Sequence, residues 1–386
     1  MRGRDRSRYQ GRIEPVTFLD RMAAYGARDA WDFTSNTYLR AGVIGPSGIT
    51  FTRASAAYAK RSDGIWQSFG SGVARITDKG LLIEGSRINR ALYSRDLTNP
   101  AWTATNVTVA RNQVGIDGTA NSACSLTATA GNGTVLQAVT NASTGRYFSI
   151  WVKRIIGTGT VEVTLDNGST WTAVTVTAGW TRVGAAQTLA NPTVGVRIVT
   201  SGDAIAVDFA QLEDGAFPSS PIFVEGTAVT RAADIARISG VSGLAYPLSL
   251  FGRAQFDVDS ATNRIVFQAH VSGSDNNRAM LRIATNRTTR SVQTASGSEV
   301  AAVNPGVAIT TGTAAKIAGR FELNNVNNAV NGTVGTADTS AAAPSSPTMF
   351  SFGVSDASTD PTWSYLMQVA VIPSALTNAQ LQAITT

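Results

Sequence analysis

Few side chains in this sequence are of a kind that does covalent chemistry, and those few are scattered. The single histidine, His270, cannot build a His-rich metal site. It also has no GxSxG-type elbow before a helix to partner it in a nucleophilic triad. Glycoside hydrolysis needs two carboxylates facing a sugar ring, one of them with a raised pKa. Glu84, Glu162, Asp166, Asp208, Glu213 and Asp214 are spread over strand-like and turn-like segments, and no spacing pairs them. No phosphate-cradling or dinucleotide-binding glycine pattern occurs. Cys124 is the lone cysteine, so no intrachain disulfide can form, and it reads as a small buried hydrophobe. These observations predict a chain that is not an enzyme.

Binding chemistry is better represented. Carbohydrate is held by stacking its ring faces on Trp or Tyr, with hydrogen bonds from Asn, Asp, Gln and Arg around it. Among seven tryptophans, Trp171 follows the turn DNGST and is the best exposed candidate. Trp66 and Trp363 flank loops and are the next candidates. Trp102, Trp151 and Trp180 lie in strand-like runs and read as core or seam. Ser272–Asn277 (SGSDNN) and Ser355–Asp360 (SDASTD) offer oxygens that could ligate a calcium ion. Neither has EF-hand spacing, and simple turns are the commoner use of such residues, so no cofactor is expected. Glu84, Arg87 and Asn89 fall in the element GLLIEGSRIN and read as scaffold residues, a buried acid with an arginine nearby fixing one segment to the next. Arg231 and Asp234 in VTRAADI read the same way.

The elements that must position these residues are strands. Charged residues are only 15% of the chain while hydrophobic ones are 43%, so the polar surface is Thr, Ser, Asn and Gly, a composition that suits pleated sheets. From about residue 91 to 235, short alternating runs follow one another at roughly ten-residue spacing, broken by Gly, Asn, Asp and Ser, the pattern of an antiparallel sandwich or jelly roll. Val161–Leu165 alternates, and Asp166-Asn167-Gly168 then makes a hairpin turn. Residues 236–386 repeat the pattern with different words and end on a helix, NAQLQAI, capped by Thr377. Near the N-terminus Phe18, Met22 and Tyr25 share one helical face, and Gly26 is a stop. The expected fold class is therefore all-β. Two tandem antiparallel sandwiches of jelly-roll type (91–235 and 236–386) follow a small, partly helical attachment region (1–50) and a connector of short strands (51–90).

The net charge of +6 is concentrated at the start. Arg2, Arg4, Arg6, Arg8 and Arg12 face only two acids within residues 1–14. Such an arm could neutralise phosphates or dock on an acidic protein surface through bidentate carboxylate pairs. No run of eighteen apolar residues exists to span a membrane, and no apolar segment follows the N-terminal charges to make a secretion signal.

Two segments carry a family resemblance. GLLIEGSRINRALYSRDLTNPAW (residues 80–102) resembles the segment that opens the sugar-binding-type β-sandwich of many tailed-bacteriophage and prophage virion proteins. QLEDGAFPSSPIFVEGTAVTRAADI (residues 211–235) resembles the segment that closes it, and Trp102 is a structural residue of that frame. The ending WSYLMQVAVIPSALTNAQLQAIT is similar to the concanavalin/laminin-G-like sandwiches at the ends of phage structural proteins. VARITDKG, before the opening segment, is shorter than the usual connector of that family. The resemblance implies a virion appendage of a phage or of a phage-derived particle such as a gene transfer agent. This would be a head or tail fibre or spike, assembled in the host cytoplasm without a secretion signal. It would be a homo-oligomer, anchored to other virion proteins through its arginine arm rather than to nucleic acid, and binding host surface polysaccharide. A baseplate, collar or capsid-decoration protein with no glycan binding is the alternative, and a polysaccharide depolymerase component a third.

Overall fold

The structure, a computed structural model, describes residues 16–258, 262–357 and 361–386. The chain is all-β, built of antiparallel sheets with a short helix at each end. Arg2, Arg4, Arg6, Arg8 and Arg12 lie outside the described residues.

The middle sandwich packs two five-stranded sheets face to face. One runs in the order Thr103–Thr105, Gly133–Ala138, Thr193–Ile198, Val161–Thr164, Thr172–Val174. The other runs Val107–Gln113, Ala123–Ala128, Ala204–Asp214, Thr144–Ile156, Thr181–Leu189. Strand alternation fills the core between them with Leu126, Val135, Phe148, Ile150, Val152, Val163, Val196 and Val207. Trp102 closes one end, 4% exposed, and donates its indole N–H to the Leu92 carbonyl at 2.9 Å. Asn167 and Gly168 both take positive φ (59° and 81°) in the turn after Val161–Thr164, as an Asn-Gly turn requires.

The terminal sandwich is not confined to residues 236–386. Its ten-stranded sheet contains Leu248–Phe256 and Ser364–Ile372 side by side, and also Asp29–Asp32, Thr37–Arg40, Val43–Ile44 and Gly80–Ile83. The free edge of Ser364–Ile372 is shared end to end by two strands from the first hundred residues. Gly80–Ile83 pairs with positions 364–366, and Asp29–Asp32 pairs with 368–371. Thr50–Thr52 extends the facing seven-stranded sheet by pairing with Ile235–Ser239. Residues 29–50, expected in a separate attachment region, and residues 51–52 and 80–83, expected in the connector, thus contribute to this sandwich. The physical reason is Trp31, which is fully buried between the sheets and edge-on to Phe350 and Phe352 at 5.9 and 4.9 Å. A side chain that burial stabilises by about 2–3 kcal/mol or more does not remain on a free arm.

The helix Phe18–Ala24 starts at Thr17 with a capping box closed by Asp20. It lays Phe18, Leu19 and Met22 on the outer face of the ten-stranded sheet, beside Leu381 and Ile384 of the C-terminal helix Asn378–Thr385. The middle sandwich is inserted between Arg87–Asn89 and Val229–Arg231, and these two strands pair with each other as a neck. No helix among the described residues is long and apolar enough to cross a membrane.

Candidate functional site

Three segments meet beside the neck. The first is the hairpin Ala57–Lys60/Trp66–Phe69, whose alternation gives it two working faces. Ala59 and Phe69 pack with Leu82 and Tyr365 of the terminal sandwich. Tyr58 and Trp66 pack with Trp151, Ile116 and Phe209 of the middle one. Trp151 is available there because its neighbours Ile150 and Val152 point into the core, so the period of two turns its indole outward. The third contribution is Trp363, whose backbone takes φ +50° after Pro361.

Between these segments lies a cavity of about 230 Å³, lined by Trp66, Trp151 and Trp363 together with Lys60, Leu82, Glu84, Arg182, Pro218, Ser219, Ser220, Asp257, Val258, Ser364 and Tyr365. Trp66 and Trp151 meet edge-on at 5.8 Å. The indole N–H of each is buried without a hydrogen-bond partner, a state that costs about 1–3 kcal/mol per group until an acceptor arrives. Trp363 is held by the Arg87 guanidinium, 4.7 Å from its ring and 4.8 Å from that of Phe217. Its indole lies flat against Gly85, where a Cβ would come within 2.7 Å of Trp363 Cζ2.

Glu84 and Ser220 of the lining belong to an ion cluster, set behind the cavity, that ties neck to sandwich. Arg75 is fully buried and donates to Glu84 at 2.6 Å and to Asp234. Arg231 donates to Glu84 and to the Gly85 carbonyl. Arg53 reaches Asp234 at 2.9 Å and the Gly70 carbonyl at 2.7 Å. Ser220 gives Glu84 its backbone N–H at 2.8 Å and its hydroxyl at 2.6 Å. Burial pushes the Glu84 carboxyl up, but Arg231, Arg75 and Ser220 outweigh it and bring it down to about 2. A carboxylate held ionised in this way cannot act as the protonated acid that glycoside hydrolysis needs.

The sequence candidates are distributed as follows. Trp66 and Trp363, read as exposed loop neighbours, are 9% and 8% exposed and share the cavity. Trp171 stands apart on the middle sandwich, with the Arg197 guanidinium 4.3 Å from its ring. Arg87 is not the partner of Glu84; Arg75 and Arg231 are, and Arg87 serves Trp363 instead. Asn89 is buried, donating to the Ala210 and Ile222 carbonyls and accepting from the N–H of Ala91 and Leu212. Trp151 was read as core or seam. The alternation of Phe148, Ile150 and Val152 was the signal that could have turned it outward.

The remaining chemistry-bearing residues are engaged elsewhere. His270 is buried, one ring nitrogen 3.0 Å from the Val271 carbonyl and the other 2.9 Å from Ser351 Oγ. Burial lowers its pKa. Of the two loops considered for calcium, Ser272–Asn277 meets Ser355–Ala357; residues 358–360 of the second lie outside the described residues. Asp275 accepts from the Asp356 N–H at 3.2 Å, while Arg278 pairs with Asp275 at 3.0 Å and Arg237 donates to the Ser355 and Asp356 carbonyls. Guanidiniums already occupy those oxygens. Among the described residues no cluster of three metal-ligating side chains occurs. Cys124 is buried, and burial pushes its thiol up to about 11.

No family model and no curated protein matches this chain. Among solved structures it is similar to the family 40 carbohydrate-binding module of the Ruminococcus gnavus IT-sialidase, at 9% identity over 39% of this chain and 98% of that one, TM-score 0.31. It is similar to domain 4 of an extracellular arabinanase from Geobacillus stearothermophilus, solved with arabinotriose, at 14% identity over 45% and 84%, TM-score 0.32. A pentraxin from Limulus polyphemus aligns at 13% identity over 39% and 81%, TM-score 0.30. Scores of this size carry no argument about ligand or activity.

Proposed function

We propose that this chain is a glycan-binding appendage protein of a tailed phage or phage-derived particle, and that the tryptophan-lined cavity is its saccharide site. One observation carries the binding half: Trp66, Trp151 and Trp363, far apart in sequence, converge on one cavity. The cavity lies just below the roughly 300–1,000 Å³ of drug-sized sites, which suits one sugar ring. The virion half rests on the resemblance of residues 80–102 and 211–235. The arm with Arg2, Arg4, Arg6, Arg8 and Arg12 is the proposed contact to other virion proteins. Homo-oligomeric display would turn weak single sites into useful avidity.

The test is calorimetry and tryptophan fluorescence on the full chain against host surface polysaccharides, with Trp151→Ala alongside. That variant loses one ring contact and one N–H donor, so affinity should fall about tenfold. Unchanged binding by a folded Trp151→Ala protein moves the site elsewhere.

A second reading, a baseplate, collar or decoration protein, is favoured by the edge strand Val43–Ile44. Both of its residues are largely exposed, at 68% and 74%, and an uncovered apolar edge invites another chain. Binding to isolated virion proteins, with no polysaccharide bound, would select it.

A further inference from the structure

The charge around the cavity says which saccharide it suits. Four guanidiniums, from Arg53, Arg75, Arg182 and Arg231, face three carboxylates, from Glu84, Asp234 and Glu213. Each carboxylate is already spoken for. Glu84 and Asp234 are shared between pairs of arginines, and Glu213 accepts from the Ser219 N–H at 2.9 Å and from its hydroxyl. Arg182 is therefore left with Glu213 at 3.9 Å and neutral oxygens, the Ser149 hydroxyl at 2.9 Å and the Ser219 carbonyl. Burial pulls its guanidinium below its ordinary value, with Glu213 working against that.

Lys60 adds a further cation. Its ammonium makes no ion pair with a carboxylate of the described residues, and it stands 5.9 Å from the Trp151 ring that Arg182 approaches at 6.0 Å. Asp257, the remaining acid of the lining, is countered by Lys79 at 3.3 Å. Among the described residues, the cations of the lining without a close carboxylate are thus the Lys60 ammonium and the Arg182 guanidinium. A neutral sugar supplies hydroxyl acceptors but leaves the charge excess unmet.

We propose that the ligand of this cavity is an acidic saccharide, a sugar ring that packs on the tryptophans and bears a carboxylate drawn to Lys60 and Arg182. This rests on the reading of the cavity as a glycan site. Both cations line the cavity and approach the Trp151 ring, so a carboxylate entering there can accept from each.

The experiment uses the full chain and a panel of neutral polysaccharides, hexuronans and sialylated glycans, each acidic one also in carboxyl-reduced form. The expected result is binding by carboxylate-bearing members, at least about tenfold weaker after carboxyl reduction and weakened by salt. Lys60→Gln, a change at a half-buried side chain whose backbone groups alone bond Tyr365, should erase the preference for acid over neutral forms without unfolding the protein. Equal, Trp151-dependent binding of acidic and carboxyl-reduced forms overturns the acid selectivity and leaves the glycan site standing. Failure of every polysaccharide, acidic and neutral, to bind folded protein overturns the glycan site itself.

Discussion

The middle sandwich draws all its strands from one unbroken stretch, Thr103 to Asp214, whereas the terminal sandwich collects strands from residues 29–52, 76–83 and 235–372. Both are antiparallel, both have apolar cores, and both read in sequence as short alternating runs. What differs is closure. The middle sandwich satisfies its sheets with neighbours in sequence. The terminal one leaves the edge of Ser364–Ile372 open unless Asp29–Asp32 and Gly80–Ile83 come back to cover it. One consequence is that the first and last described elements, the helices Phe18–Ala24 and Asn378–Thr385, are anchored in the same body. The Arg21 guanidinium even reaches the Ile384 carbonyl at 3.4 Å. The inserted sandwich is then held out on a two-stranded neck, and the candidate site sits in the angle between the two bodies.

The sharpest way to break this comparison is by fragments. Residues 86–232 should fold alone and melt cooperatively. Residues 236–386 should not, because removing Trp31, Phe33, Leu81 and Ile83 opens the core they share with Phe350 and Phe352; each large core side chain removed costs about 2–5 kcal/mol. Circular dichroism and thermal melts of the two fragments decide it. A folded 236–386 fragment would refute the shared core.

The next largest effect is at the neck. Glu84→Ala strands Arg75 and Arg231 without their shared carboxylate, and should destabilise the protein by about 3–5 kcal/mol, read as a lower denaturant midpoint. The same residue sets an acid limb. Its carboxyl titrates near 4.5 when unfolded and about 2 when folded. It therefore contributes stability that is present above pH about 4.5 and lost as pH falls toward 2. Urea melts of the native protein and of Glu84→Gln between those values should converge as pH drops. Parallel curves would deny Glu84 that role.

Gly85→Ala should cost about 1–3 kcal/mol by overpacking, since the new methyl meets Trp363 and Pro361 Cγ at 2.7 and 2.8 Å. It should also weaken polysaccharide binding by displacing that indole. The smallest effect is expected at Trp171, where the Ala variant loses a cation–π contact worth about 0.5–1 kcal/mol and leaves polysaccharide binding unchanged. Loss of binding there would move the site from the junction to the middle sandwich.

Much of the fold was legible in local pattern. Period-two alternation marked the strands, Asn167-Gly168 a turn, the face of Phe18, Met22 and Tyr25 one helix, and Thr377 the start of another. These signals are local because a strand's pleat, a turn's dihedrals and a helix cap are set by a few consecutive residues. The scaffold role read for Glu84, Arg231 and Asp234 came from the same short segments that carry the family resemblance.

The candidate site was legible only in fragments. Trp66 and Trp363 were picked for lying near loops, yet nothing local said that they would face one another, or that Trp151 would join them. Sequence also could not pair Glu84 with Arg75 and Arg231 rather than with Arg87, two strand positions beyond Gly85. The amino-acid sequence by itself determined an all-β chain with little catalytic chemistry and a surplus of arginine. Tertiary structure decided which strands close the terminal sandwich, where the surplus cations gather, and that three distant indoles enclose one cavity. Edge pairing and charge clustering depend on which segments meet in space, and burial energies reward that meeting without leaving a mark in any short stretch of chain.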